Sequence, residues 1–147
     1  MIEPMSAQVA NAERFARLGV TADAEHAGRT RTEFSQWLDD FFALDAVRTN
    51  DVVLATNEAL ANAAEFAYWS AAHPGTIDVQ ARHHAADGRL TVTVSDRGTW
   101  RAPDPHPVTR LRGRGIPLMR ALTDSATIET TPQGTHVRLE WTGVPRR

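Results

Sequence analysis

The sequence contains no cysteine and no lysine. Without cysteine there can be no disulfide, no thiolate metal site and no cysteine nucleophile, and nothing points to an oxidising compartment. The missing lysine excludes more. All sixteen basic residues are arginine. A Walker A loop needs a lysine on the β- and γ-phosphates. Protein kinases of the common fold need a strand lysine on the α- and β-phosphates. Neither architecture is available here. Long apolar runs are also lacking, so no membrane span is read and no membrane partner is expected. The opening M-I-E-P-M-S-A-Q has no charged region followed by an apolar one. A signal peptide is therefore not expected, and the cytoplasm is the expected compartment. A net charge of −2 gives no electrostatic case for nucleic acid as a partner.

What is there fits one soluble domain. The chain has 147 residues, 41% of them hydrophobic, enough to bury a core. Residues 1–12 read as a flexible N-terminus, 13–142 as the domain, and 143–147 as a C-terminal tail. Residues 15–20 suit a short strand. Residues 22–42 suit a helix, with Thr21 as candidate N-cap and an apolar stripe through Phe34, Trp37, Leu38, Phe41 and Phe42. A second helix, capped by Thr49 or Asn50, runs to about Trp69. His73-Pro74-Gly75 then makes a turn. Alternation over Ile77, Val79 and Ala81 and over Leu90, Val92 and Val94 predicts two strands joined by a turn at 85–88. Residues 98–112 form an irregular, proline-dotted loop. A short helix at 115–122 and two strands, 126–131 and 135–141, complete the chain. This order predicts an α+β fold, a two-layer α/β sandwich whose mostly antiparallel sheet carries its helices on one face.

Four stretches carry possible chemistry. In T-N-E-A-L-A-N-A-A-E-F-A-Y, Glu58 and Asn62 are four residues apart and share a helix face. Alanines around them keep the helix slim, so a ligand can come close. The Asn62 oxygen suits a hard cation, and Glu58 could orient or deprotonate a nucleophile. Taken alone, the pair is better explained as a solvated helix edge, where Glu and Asn are common. In V-T-V-S-D-R-G, alternation puts Asp96 on the side of Leu90, Val92 and Val94, where a carboxylate needs a donor. A buried ligand amino group is one candidate, with Gly98 offering bare backbone. A plain Asp-x-Gly turn is the other. In R-L-R-G-R-G-I-P-L-M-R, Gly113 and Gly115 lead into a helix start, where amides and the dipole favour phosphate. Arg112 and Arg114 add anion-binding capacity. A flexible basic loop would look the same. In G-T-H-V-R-L-E-W, Thr135 shares the parity of Val137, Leu139 and Trp141, so its hydroxyl points coreward and needs a partner. The six histidines are scattered and make no metal set.

Taken in order, E-x-x-x-N on a helix, D-x-G after a strand, G-x-G before a helix and G-T opening a final strand resemble the GHKL (Bergerat-fold) ATP-binding domain. The resemblance is closest to the bacterial anti-sigma factor serine kinases, and within them to actinobacterial forms, which share D-R-G-x-W-R-x-P and R-G-R-G-x-P-L-M-R-A-L. It covers residues 15–141. It implies ATP and Mg²⁺ as cofactors. Asn62 would bind Mg²⁺, Glu58 would be the catalytic base or orienter, and Asp96 would bind the adenine amino group. Gly98 would lie beneath the ring, and Thr135 would assist through a water. Arg112, Gly113, Arg114 and Gly115 would hold the phosphates, under a lid at 99–112. The implied partners are a sigma factor and a STAS-domain anti-anti-sigma factor, phosphorylated on Ser or Thr. A homodimer is implied too, with 15–20 as a possible edge strand. Phe66 stands where many members have histidine, and Trp100 where many have a second glycine. A non-catalytic ATP-binding module that switches a protein partner is the alternative function.

Overall fold

In a computed structural model of the chain, residues 7–68, 75–98 and 115–147 are described. Six strands form one sheet in the order β1-β2-β3-β4-β6-β5. They are β1 Gln8–Ala10, β2 Arg14–Thr21, β3 Thr76–His84, β4 Arg89–Asp96, β5 Ser125–Thr131 and β6 Gly134–Trp141. Every pairing among them is antiparallel. The helices are α1 Ala24–Phe41, α2 Ala46–Asn62 and α3 Gly115–Leu122. A single π-helical turn, Ala63–Ala67, continues α2. Strands β4 and β6 alternate buried and outward residues along their length, as a sheet covered on one face must. The core is one cluster. Phe15, Phe34, Trp37, Leu38, Val52 and Leu60 meet Ile77, Val79, Leu90, Val92, Val137 and Leu139. The α+β class and the one-faced layer of helices expected above are what the chain adopts.

Several boundaries differ from the sequence expectations. Asp23, not Thr21, caps α1, accepting from the His26 amide at 2.7 Å. Asp45, not Thr49 or Asn50, caps α2, accepting from the Arg48 amide at 2.7 Å. In both cases a carboxylate just upstream of the periodic residues reaches the free amides, while the residues first proposed lie outside or inside the helix. Helix α2 ends at Asn62 and not near Trp69, and its regular hydrogen-bond period is broken by the π turn. Its buried face runs through Val52, Ala55, Thr56, Ala59 and Leu60. The N-terminus is not wholly loose, because Gln8–Ala10 pairs with β2. Residues 15–17 are consequently paired on both sides, by β1 and by β3, and are not a sheet edge.

The last residues are not a free tail either. Val144 is fully buried, and its amide donates to the Gly88 carbonyl. The Ala43 amide donates to Pro145, and the Arg147 amide to Phe41. Arg48, on the first turn of α2, donates to the carbonyls of Thr142 and Gly143 at 2.7 and 2.8 Å. Buried His83 takes a 2.9 Å hydrogen bond from Arg146 Nε at its Nδ1. A guanidinium can only donate, so Nε2 carries the ring hydrogen, and it faces the Val144 carbonyl at 2.7 Å. This terminal strap joins the sheet to the turn between α1 and α2. It anchors the start of the helix whose other end carries Glu58 and Asn62.

Candidate functional site

The site residues fall into two groups. The first sits where α2 ends and α3 begins. Glu58 is half-buried and Asn62 is buried, so the reading of both as a solvated helix edge does not hold. Gly115, the first residue of α3, is buried against them. A β-carbon on Gly115 would come within 3.0 Å of Asn62 Nδ2 and of Glu58 Oε2, and within 3.3 Å of Asn62 Oδ1. The bare glycine keeps this space open. It also places the start of α3 beside a carboxylate and an amide, at the positive end of the helix dipole. The spacing of four residues aligns Glu58 and Asn62, and the alanines at 59, 61 and 63 keep the surface between them low.

The second group is built on the sheet. Asp96 ends β4 on the buried side, as its parity predicts. Its Oδ1 accepts from the Gly98 amide at 3.0 Å and from the Thr135 amide at 3.2 Å. These bonds fix the carboxylate at the junction of β4 and β6. Gly134 precedes Thr135 with φ at 145°, a conformation that favours glycine, and its α-carbon lies against the Asp96 backbone. Thr135 is fully buried, and its hydroxyl has no hydrogen-bond partner among the described residues. An unpartnered hydroxyl beside a carboxylate, in an apolar wall, is a costly arrangement unless a ligand or water completes it.

Gly98 is expected to offer bare backbone to a ligand. On the side where a β-carbon would stand, its α-carbon is pressed against the Ala67 carbonyl at the end of the π turn, and any side chain would overlap there. The glycine lets protein backbone approach on that side. Arg112, Gly113 and Arg114, the loop at 99–112, Trp100, and the turn residues His73 and Pro74 lie outside the described residues. So does the side chain of Phe66. Sequence reasoning missed Ala67, Tyr68 and Gly75, which connect the two groups. Tyr68 stood within the quoted stretch, but nothing in its spacing indicated its partners. No group of three or more possible metal ligands of the His, Cys, Asp and Glu types occurs among the described residues. No described helix is long and apolar enough to cross a membrane.

With this geometry in place, the comparisons decide the family. The sequence pattern of the histidine kinase-like ATPase domain matches residues 20–141, which contain both groups. The chain belongs to this ATPase-domain family. The fold is similar to the RsbU and RsbW domains of Rv1364c from Mycobacterium tuberculosis. That match has a TM-score of 0.69 at 24% identity and covers 91% of this chain and 33% of that one. It is also similar to the histidine kinase domain of the blue-light activated histidine kinase of Erythrobacter litoralis EL346. There the TM-score is 0.50 at 18% identity, over 92% of this chain and 70% of that one. The ATPase domain described here thus spans about a third of the length of the mycobacterial structure. Family membership makes it an ATP-binding domain.

The residues present fit that ligand. The ATPase domain offers a buried carboxylate with an unsatisfied hydroxyl next to it at one end. At the other it offers an open glycine-lined space beside Asn62 and a helix start. The first set suits a base with an exocyclic amino group, the second an anion with its cation.

Proposed function

We propose that this chain is an anti-sigma factor and serine/threonine kinase that uses ATP and Mg²⁺ to phosphorylate a STAS-domain anti-anti-sigma partner. The observation that carries the kinase half is the meeting of Glu58, Asn62 and Gly115 at the end of α2. It supports a phosphate site with a carboxylate at its mouth. The partner assignment rests on the resemblance to the anti-sigma kinases and on the fold shared with the RsbW-containing structure.

In this reading Asp96 holds the adenine amino group, and Thr135 satisfies its hydroxyl there through the same ligand. Asn62 presents its carbonyl oxygen to Mg²⁺. The amides at the start of α3, with Arg112, Gly113 and Arg114, hold the phosphates. When bound, ATP and Mg²⁺ supply the phosphoryl group and most of the charge neutralisation. Glu58 accepts the proton of the incoming Ser or Thr hydroxyl as that oxygen displaces ADP from the γ-phosphorus. Phosphoryl transfer asks little covalent chemistry of the protein, so positioning these groups is the main task. Phosphorylation would then keep the STAS partner from releasing the sigma factor.

The test is transfer from labelled ATP to candidate STAS partners, comparing wild type with Glu58→Gln. The expected result is labelled partner with wild type and a loss of about 10²–10⁴-fold in rate with Glu58→Gln, at nearly unchanged ATP affinity. Tight ATP binding with no transfer to any partner would leave a non-catalytic ATP-binding switch as the function.

A further inference from the structure

Tyr68 follows the π turn directly, and its hydroxyl makes two hydrogen bonds. It donates to the Thr76 carbonyl at 2.7 Å and accepts from the Arg97 amide at 2.9 Å. Thr76 opens β3, and Arg97 follows the last residue of β4. These strands are adjacent, with Ile77 paired to Asp96. One phenol therefore closes the site end of the β3–β4 pair. Its ring lies on the α-carbon of Gly75, where a β-carbon would overlap it. One residue earlier, the Ala67 carbonyl lies on Gly98. The π turn that begins after Asn62 is thus pinned to the segment that begins at Asp96, by backbone packing at one point and by Tyr68 at the next. A π turn carries one residue more than an α turn, is rare, and occurs frequently at functional sites.

We propose that Tyr68 is a positioning residue. It sets the distance between Asn62 and Asp96, and so couples the metal-and-phosphate end of the nucleotide site to the base end. The inference rests on the ATP reading given above. Tyr68 itself binds no part of the nucleotide. Its hydroxyl is fully used by Thr76 and Arg97, and its effect travels through the π turn to Asn62. A clasp that merely stabilised the fold would weaken every mode of nucleotide binding alike. A register-setting clasp weakens the binding that needs both ends at once.

The experiment uses the full chain and reads ATP affinity by displacement of a fluorescent ATP analogue, once with excess Mg²⁺ and once with EDTA. The quantity of interest is the factor by which Mg²⁺ strengthens ATP binding. In Tyr68→Phe this factor is expected to fall by about tenfold, toward that of Asn62→Ala, the scale of losing the two hydrogen bonds that hold the turn. Affinity in EDTA stays within about twofold of wild type, because the base end keeps its own bonds. Gly75→Ala, which keeps the hydroxyl and displaces the ring, should change the same factor in the same direction. Equal loss in both conditions, or a lower melting temperature with an unchanged factor, would overturn the inference and leave the nucleotide site standing. If the wild-type chain binds no ATP in either condition, the nucleotide reading fails and this inference with it.

Discussion

The two ends of α2 are held in opposite ways. At its start the helix is closed in. Asp45 caps it, Arg48 ties it to the carbonyls of Thr142 and Gly143, and Val144 of the strap is fully buried. Phe42, just before it, packs edge-on against Trp37, ring centres 4.8 Å apart, and at a tilt against His83 at 4.6 Å. Each polar group named there has a partner inside the protein. At its other end the helix stops at Asn62 in a π turn. It faces the glycine that opens α3, and the buried Thr135 hydroxyl has no partner among the described residues. The first end is satisfied by the fold. The second is left for something else to satisfy. A helix anchored at one end can present groups at the other without their having to stabilise the domain.

That contrast makes opposite predictions for the two ends. The largest effect is expected at the closed corner. Phe42→Ala removes a fully buried ring from a three-ring stack and should cost about 3–5 kcal/mol of stability, read by chemical denaturation. Against a total of roughly 5–15 kcal/mol, this is a large fraction. ATP affinity, measured where the variant remains folded, should hardly change. If affinity falls with stability, the two ends are not independent. The mirror experiment is Asn62→Ala. Losing a metal-directed contact should weaken ATP–Mg²⁺ binding by about 30- to 100-fold, or roughly 2–3 kcal/mol. Its melting temperature should stay close to wild type, because no hydrogen bond among the described residues holds the Asn62 side chain in the fold. A melting loss as large as that of Phe42→Ala would make Asn62 a structural amide.

The same division sets what could be read from the sequence. Strand alternation carries parity, so the inward placement of Asp96 and Thr135 was legible before any coordinates. Helical period carries faces, so Glu58 and Asn62 could be paired. The order of four weak motifs carried the family. The strap was not legible, because T-G-V-P-R-R reads locally as a polar end. Its structure comes from contacts across the chain, such as Val144 with His83 and Arg48 with Gly143. The three-residue strand β1 is too short for any periodicity to register. The π turn was invisible for a related reason. Nothing in A-A-E-F-A disfavours a continued α-helix, and the turn exists because Gly98 and Tyr68 hold it. Gly98 reads as a place for close approach, but a single sequence does not say that the Ala67 backbone is one of the groups that approach.

The smallest effect distinguishes the ends by pH. Asp45 caps α2 at the closed corner, and Asp23 caps α1 at the site end, where the Ala22 amide donates to Gly75 beside Tyr68. The Asp23 carboxyl is held below its ordinary value of 3.8 by the hydrogen bond from the His26 amide and by the His26 side chain. A carboxyl whose folded pKa is depressed adds stability above its unfolded pKa and loses it as pH falls through the folded one. The contribution is therefore complete above about pH 4 and disappears on further acidification. Asp23→Ala should lower the melting temperature slightly at neutral pH and flatten this part of the acid profile. The Asp23 side chain is 40% exposed, so salt should weaken the effect. Nucleotide affinity at neutral pH should not move, since the cap acts on α1 and not on the π turn. If Asp23→Ala also lowers the gain in ATP affinity from Mg²⁺, then the Ala22–Gly75 contact belongs to the positioning system of Tyr68, and the open end of the molecule extends to the start of α1.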